Sequence, residues 1–244
     1  MKTVITGSIA YDYLMSFPGK FTEHFLAEHM ERVSLSFLVD SMDKRRGGCA
    51  PNIAYTLALL GERPYLMATA GQDFDDYRQW LDAAGIDTSL VKIVDGKFCA
   101  SFFCSTDQAN NQIASFYTGA MANAGELSMR TVPGIKDALV IIAANDPDGM
   151  TQWAEECAAM GVKYIWDPGQ QCARMDGPQL RDGVVGAHMV ICNDYEFELI
   201  RQKTGLGESD VLARARALVI TKGEHGCTVF TGEDRSVTVD VPAV

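Results

Sequence analysis

The chain carries, at residues 45–61, the stretch RRGGCAPNIAYTLALLG, and its other features can be related to this one. Gly47 and Gly48 can adopt backbone angles that other residues avoid, and they allow a ligand to approach bare peptide. The residues that follow predict a helix, because apolar side chains recur at spacings of three and four. We expect this helix to begin near Ala50 and to end at Gly61, a typical helix stop.

The amino end of this predicted helix would face a ligand that binds against the backbone of the two glycines. Free N–H groups at the start of a helix bind polar and anionic ligands, and Asn52 adds a side-chain donor and acceptor. We therefore expect a polar-ligand site built largely from backbone amides. The alternative is that the glycines serve only a tight turn between a strand and a helix, and this stretch alone leaves both interpretations open.

Composition restricts the class of protein. With 244 residues, 47% of them hydrophobic and 22% charged, the chain has the ordinary composition of a soluble α/β domain with a small appendage. The net charge of −11 argues against nucleic acid or an anionic membrane as a partner, since clustered Lys and Arg bind those. Seven cysteines without a Cys-x-x-Cys pair, and no signal-peptide or membrane-length apolar run, indicate reduced thiols in a cytoplasmic protein.

Strands and helices alternate along most of the chain. This alternation predicts an α/β fold with a mostly parallel central sheet and helices on both faces. The predicted strands are residues 4–10, 63–71, 138–144, 162–166, 189–192 and 217–221, followed by a closing hairpin of 227–231 with 236–241. The predicted helices after the first are residues 73–84, 150–160, 178–185, 195–204 and 208–216.

Two β-like segments interrupt this alternation. Residues 33–39 alternate like a strand, and residues 98–104 and 112–117 flank a polar turn like the two arms of a hairpin. We predict that they pair into a small β lid of residues 13–40 and 97–118 over a discontinuous α/β core of residues 1–12, 41–96 and 119–244. Exposed strand edges in such a lid also suggest a homodimer.

Polar residues follow several of the predicted strands. Asp12 comes just after the first strand, and residues 167–171, Asp-Pro-Gly-Gln-Gln, follow another. The ligand crevice of an open α/β sheet lies at the carboxyl ends of its strands, so Asp12 is a candidate to hold the hydroxyl groups of a substrate. The alternative for Asp12 is a solvated turn aspartate.

Two later stretches suggest phosphate chemistry, although each also has an ordinary structural explanation. Asn193 and Glu196 stand three residues apart at a strand end, where they could hold a hydrated Mg²⁺ or could simply cap the next helix. Residues 221–226, Thr-Lys-Gly-Glu-His-Gly, could let the phosphates and ribose of a nucleotide approach the backbone, or could form a hairpin turn.

Four motifs, in order, resemble those of the PfkB or ribokinase family of carbohydrate and nucleoside kinases, particularly the branch related to adenosine kinase. They are the opening strand with Asp12, the stretch from Gly47 to Gly61, Asn193-Asp194-Tyr195-Glu196, and Thr221-Lys222-Gly223. The P-loop and the Gly-x-Gly-x-x-Gly fingerprint are missing. The resemblance implies a ribokinase-like fold, ATP and Mg²⁺ as cofactors, and transfer of the γ-phosphate to a primary hydroxyl of a sugar or nucleoside.

The resemblance also implies roles for individual residues. The acceptor's hydroxyl groups would be held by Asp12, Gly47, Gly48 and Asn52. The ATP side would be lined by Asn193, Thr221, Lys222, Gly223 and Gly226. Glu196 would position Mg²⁺.

One family motif is missing from these 244 residues. The Gly-Ala-Gly-Asp-like turn, whose aspartate is the family's catalytic base, should follow the closing hairpin, and the sequence reaches only Val244. We therefore assign no catalytic residue, interpret the sequence as lacking its C-terminal part, and expect little or no transfer activity.

The acceptor itself is left open between a sugar and a nucleoside. The aromatic residues Tyr11, Tyr13, Phe102 and Phe116 slightly favour a nucleoside, since bases stack on aromatic rings. The alternative function is a non-catalytic protein that binds a sugar or nucleoside without transferring phosphate.

Overall fold

The computed structural model of the chain describes residues 2–25, 34–231 and 237–243. The strands are β1 (Lys2–Thr6), β2 (Ala10–Ser16), β3 (Ser41–Gly47), β4 (Tyr65–Ala70), β5 (Val91–Ile93), β6 (Ala100–Thr106), β7 (Gln112–Tyr117), β8 (Ala138–Ala143), β9 (Lys163–Asp167), β10 (Met189–Asn193), β11 (Ala217–Thr221), β12 (Cys227–Thr231) and β13 (Val237–Val241). The α-helices are α1 (Cys49–Leu59), α2 (Asp75–Ala83), α3 (Pro147–Met160), α4 (Gly177–Val185), α5 (Asp194–Thr204) and α6 (Glu208–Leu212).

Nine strands form the central sheet in the order β13-β12-β11-β10-β9-β8-β1-β4-β5. The pairs from β11 to β5 are parallel, and β12 and β13 add an antiparallel hairpin at one edge. This arrangement confirms the predicted α/β class and the mostly parallel sheet. The carboxyl ends of the parallel strands consequently lie along one edge, where such sheets bind their ligands.

Helices cover both faces of the sheet, as the strand pattern predicts. On one face, side chains such as Tyr164 and Val190 pack into a core with α3, α4 and α5. On the other face, Ile5 and Leu66 pack against α1 and α2. Burial on both faces explains why these strands are apolar throughout rather than alternating.

Four strands form a second sheet in the order β3-β2-β6-β7. Strand β2 pairs antiparallel with β3 and parallel with β6, which in turn pairs antiparallel with β7. The predicted hairpin of residues 98–104 and 112–117 thus forms as β6 and β7 in a second sheet, but it pairs there with β2 and not with the predicted strand at residues 33–39. The predicted first strand, residues 4–10, is in fact two strands, since β1 ends at Thr6 and β2 begins at Ala10 in the second sheet.

The predicted strand at residues 33–39 is wrong for its described part, residues 34–39, and residue 33 lies outside the described residues. The alternating apolar pattern there reflects an aromatic cluster, in which Phe37 packs edge-on against Phe17 and Phe21. The strand that pairs with β2 is β3, which is charged and exposed along most of its length. Sheet pairing thus groups residues 10–12 and 41–47 with the lid strands, and the division into domains stays a prediction.

Smaller differences concern the ends of elements. Helix α6 ends at Leu212 rather than at residue 216, because the chain must enter the sheet there, and the Arg216 amide donates to the His188 carbonyl at 2.9 Å. The three-residue edge strand β5 was not predicted. Within the described residues, no helix is long and apolar enough to cross a bilayer.

Candidate active site

A cleft of about 480 Å³ lies where the second sheet meets the carboxyl edge of the central sheet. Its lining includes three of the four residues predicted to hold the acceptor, and the fourth, Gly47, lies against Asp12. The lining residues are Ser8, Ala10, Asp12, Gly48, Cys49, Asn52, Phe102, Phe116, Met121, Gln170, Gln171 and Arg174.

Gly47 lies against the Asp12 carboxylate, and Gly48 lies against the main chain of residues 8–10. Gly47 pairs with Ala10 across β3 and β2, and a Cβ atom added to Gly47 would lie 2.5 Å from Asp12 Oδ2. Gly48 has a φ of +97°, and a Cβ there would lie 2.4 Å from the Ser8 carbonyl oxygen. At Gly48 a side chain would collide with main chain, and at Gly47 it would displace the Asp12 carboxylate, which therefore borders the glycine backbone.

Asp12 is the acidic group of this cleft. Partial burial raises the pKa of its carboxyl above the usual range for aspartate. In its ionised form, the carboxylate accepts hydrogen bonds, which is the chemistry needed to hold the hydroxyl groups of a ligand.

Two aromatic rings extend the row that begins at Asp12. Asp12 lies directly opposite Phe102 on β6, and Phe102 lies opposite Phe116 on β7. Residues that face each other across strands project from the same side of a sheet. The second sheet thus presents a carboxylate followed by two apolar rings to one cleft.

The start of α1 is less open than the sequence predicted. The Cys49 amide donates to Ser8 Oγ, and the Ala50 amide to the Ser8 carbonyl, each at 3.3 Å. Ser8 therefore already binds two of the amides that the prediction left for a ligand. The position of Ser8 between two strands could have indicated a contact with the start of α1. A serine side chain alone does not predict that it accepts a hydrogen bond from a helix amide.

The turn after β9 contributes a further wall. Gln170 and Gln171, which the sequence placed at a polar strand end, line the cleft as expected. Arg174 also lines it and brings a positive charge into a chain of net charge −11. Arg174 was not predicted, because the 3-10 turn that precedes it, Gly169–Ala173, has no clear sequence pattern.

The residues predicted for the ATP side lie elsewhere, since none of them lines this cleft. Asn193 and Glu196 form a capping box at the start of α5. The Glu196 amide donates to Asn193 Oδ1 at 2.7 Å, and the Asn193 amide donates to Glu196 Oε2 at 2.8 Å. The capping alternative is thus confirmed, and a second role for these side chains stays a prediction.

Asp167, at the end of β9, is electrostatically coupled to Glu196. Burial, and secondarily the charge of Glu196, raise the pKa of Asp167 to about 6. Two carboxylates in such an environment suit a divalent cation, but no group of three or more His, Cys, Asp or Glu side chains suited to a metal ion occurs among the described residues. A Mg²⁺ ion would fit there only with phosphate and water oxygens completing its ligands.

The predicted nucleotide loop forms a hairpin connection. The Lys222 amide donates to the Gly226 carbonyl at 2.7 Å, and the Lys222 ammonium group contacts the Thr228 hydroxyl and lies 3.8 Å from Asp240. A Cβ on Gly226 would collide with the Val241 carbonyl oxygen. Lys222 and Gly226 therefore have structural roles, while Thr221 ends β11 next to Asn193 of β10.

A larger groove, of about 1200 Å³, lies at the opposite edge of the sheet. Its cationic side chains are Lys163, Arg214 and Arg216, and burial, followed by the charges of Lys163 and Arg216, lowers the pKa of His188, which also lines the groove. Gly161 and Gly186, which end α3 and α4, also line it. Because cations offset the dipoles of helix carboxyl ends, this groove has a structural explanation and lies away from the ligand edge.

A mostly parallel sheet, a second β sheet over its carboxyl edge and a carboxylate against a glycine pair are the features of a small-molecule kinase with a ribokinase-like fold. A model of the pfkB family carbohydrate kinases matches residues 9–244. The chain belongs to this family.

Three similar proteins are informative. A structure of the nucleoside kinase of Burkholderia thailandensis in complex with inosine is 41% identical, with a TM-score of 0.83, over 99% of this chain and 76% of that chain. A nucleoside kinase of Methanocaldococcus jannaschii is 26% identical over 100% of this chain and 76% of its own length. Ribokinase from Cryptococcus neoformans, at 15% identity and a TM-score of 0.74, shares the fold.

Proposed function

We propose that the chain is a nucleoside kinase that transfers the γ-phosphate of ATP to a primary hydroxyl of a nucleoside. The observation that supports this most is the row formed by Asp12, Phe102 and Phe116 on one side of a single cleft. A carboxylate matches the hydroxyl groups of a ribose, and apolar rings match a base. The Burkholderia relative, which has been solved with inosine and with ADP-inosine, supports a nucleoside over a free sugar.

On this proposal each acceptor residue has a defined task. Asp12 accepts hydrogen bonds from ribose hydroxyls, and Gly47 and Gly48 allow the sugar to approach the main chain. Asn52, which is exposed on the first turn of α1, adds a side-chain donor and acceptor. Phosphoryl transfer demands little covalent chemistry from a protein, so holding the acceptor in line with the phosphate is the main contribution.

The nucleotide would bind along the ends of β10 and β11. We propose that Asn193, Thr221 and Gly223 border ATP, and that Glu196, together with Asp167, helps to hold Mg²⁺. When bound, the ion would neutralise charge on the phosphates. Lys222 and Gly226 would act indirectly, through the hairpin that they stabilise.

We also propose a cytoplasmic location and a homodimer formed through the second sheet. All seven cysteines are free thiols, as expected in a reducing compartment. Every residue of β7, an edge strand, is exposed, and unpaired strand edges invite a second chain.

A thermal-shift panel of inosine, adenosine, ribose and fructose tests the acceptor class. A ligand at 100 times its Kd adds about 2.7 kcal/mol of stability, or about 5 to 10 °C for a chain of this size. We expect that shift for nucleosides only. Asp12→Asn should weaken binding about 10- to 100-fold, whereas Asp43→Asn on the neighbouring strand β3, where the side chain is 68% exposed, should not. A larger shift with ribose or fructose would contradict the proposal.

Transfer by residues 1–244 is a separate measurement. Because the Gly-Ala-Gly-Asp-like turn is missing from these residues, weak or no transfer stays a prediction, and turnover of about 1 to 100 per second would contradict it. Nucleoside binding that ATP and Mg²⁺ leave unchanged would favour the non-catalytic alternative.

A further inference from the structure

Side chains and main chain at the start of α2 contact the second sheet at the ends of β2, β3 and β6 that lie nearest the central sheet. The Tyr11 hydroxyl donates to the Asp73 carbonyl at 3.1 Å, and the Cys99 amide donates to Asp73 Oδ1 at 2.7 Å. The Tyr77 hydroxyl donates to the Gly47 carbonyl at 3.0 Å. An ion pair of 2.7 Å between Arg46 and Asp76 adds a fourth link.

Tyr77 is held firmly in place. Its side chain is 1% exposed, and its ring packs against Tyr11, Phe74 and Trp80 with centroid distances of 5.5 to 5.9 Å. A phenylalanine would fill this space equally well, and a buried hydroxyl is costly unless it is bonded. The hydroxyl is therefore explained by its bond to Gly47 rather than by packing.

The Gly47 carbonyl fixes the peptide that joins the two acceptor glycines. A trans peptide is planar, so its C=O and N–H point in opposite directions. Because the carbonyl of Gly47 is hydrogen-bonded to the Tyr77 hydroxyl, the N–H of Gly48 must lie on the side away from α2. Gly48 lines the acceptor cleft. Its φ is positive, and as a glycine it has no side chain that would restrain this backbone conformation.

We infer that Tyr77 is a positioning residue for the acceptor site, which orients the Gly47–Gly48 peptide so that its amide serves the bound nucleoside. Tyr77 itself does not line the cleft and acts through the glycines. This inference rests on the proposed function, since it assigns the residue a part in binding the nucleoside.

The test is the affinity of Tyr77→Phe for inosine, measured by calorimetry on the 244-residue chain. Tyr164→Phe is the matched control, because Tyr164 is equally buried and its hydroxyl donates to the Gly183 carbonyl at 2.8 Å, on a part of the sheet that does not line the cleft. We expect both variants to lose similar stability to urea. Only Tyr77→Phe should weaken inosine binding, by about five- to tenfold, and speed hydrogen exchange at the Gly48 amide.

A rescue separates the hydroxyl from the ring. Placing 4-aminophenylalanine at residue 77 restores a donor at the same position, and inosine affinity should return to within about twofold of the parent chain. Unchanged affinity in Tyr77→Phe, an equal loss in Tyr164→Phe, or failure of Tyr77→Phe to fold would each overturn the inference. Absence of inosine binding in the parent chain would instead contradict the proposed function itself.

Discussion

At residue 48 the main chain leaves no room for a side chain. Gly48→Ala would combine a φ of +97° with a Cβ 2.4 Å from the Ser8 carbonyl, whereas Gly161→Ala would place a Cβ in open space at a φ of +68°. We expect about 1 kcal/mol of lost stability for Gly161→Ala. Gly48→Ala should lose at least about 1 to 3 kcal/mol more, because a strained backbone must also move. Urea denaturation measures both, and equal losses would contradict the close approach.

Asp167 makes the stability of the chain depend on pH. Its pKa rises from 3.8 to about 6 in the folded chain, mainly through burial, so the fold favours the neutral acid. The stabilisation is present below about pH 4 and is lost as the pH rises through 6. Two pKa units correspond to about 3 kcal/mol. Between pH 4.5 and 8, the free energy of unfolding of Asp167→Asn, measured by urea denaturation, should therefore rise by up to that amount relative to the parent chain. If the two chains show the same dependence of unfolding free energy on pH, the burial of Asp167 is contradicted.

Residues whose type carries chemistry were predictable, and residues placed only by the fold were not. Asp12 and Asn52 were identified because a carboxylate and an amide beside glycines suggest hydroxyl binding, and both line the cleft. Ser8 and Arg174 escaped, since the first acts through two weak bonds to α1 and the second depends on a 3-10 turn. The physical reason is that the sequence states the chemical type of each side chain, whereas the contacts of that side chain depend on the fold.

At the start of helix α5, the structural role of Asn193 as a helix cap can be separated from its proposed role in binding ATP. Asn193 caps α5 in a box with Glu196, and Asp176 caps α4 in the same kind of box with Gln179. Asn193→Ala and Asp176→Ala should each cost about 1 kcal/mol of stability in urea. Only Asn193→Ala should also reduce the thermal shift caused by ATP with Mg²⁺. If both variants respond to ATP alike, Asn193 is a cap and nothing more.

Elements with a strong hydrophobic pattern were predicted, and charged ones were not. Strands β8 to β11 are buried on both faces, so their apolar runs were clear. Main-chain hydrogen bonds to β2 hold strand β3 in the sheet. Its charged residues have a low intrinsic preference for strands, although they suit an exposed edge strand. The apolar alternation at residues 34–39 was the stronger signal, but it belongs to the aromatic cluster around Phe37.

For the whole molecule, one long-range pairing creates the acceptor site. Strands β2 and β6 come from segments about 90 residues apart and pair in parallel along seven residues. That pairing brings Asp12 beside Phe102, which no local sequence pattern could specify. The sequence predicted the β6 side of this pairing but placed its partner at residues 33–39 rather than at β2, because the register depends on how both segments pack against the core.

The same sheet predicts an assembly. Among the described residues, strand β7 is the last strand of the second sheet, and it exposes Ile113, Phe116 and Tyr117 at 40 to 51%. We expect the chain to sediment as a dimer, and Ile113→Lys to shift it to monomer by placing a charge at the edge. Leu60→Lys is the control, because Leu60 is 76% exposed just beyond α1, outside the second sheet. A monomer for the parent chain at every concentration would contradict this assembly, and a dimer that survives Ile113→Lys would place the interface on another surface.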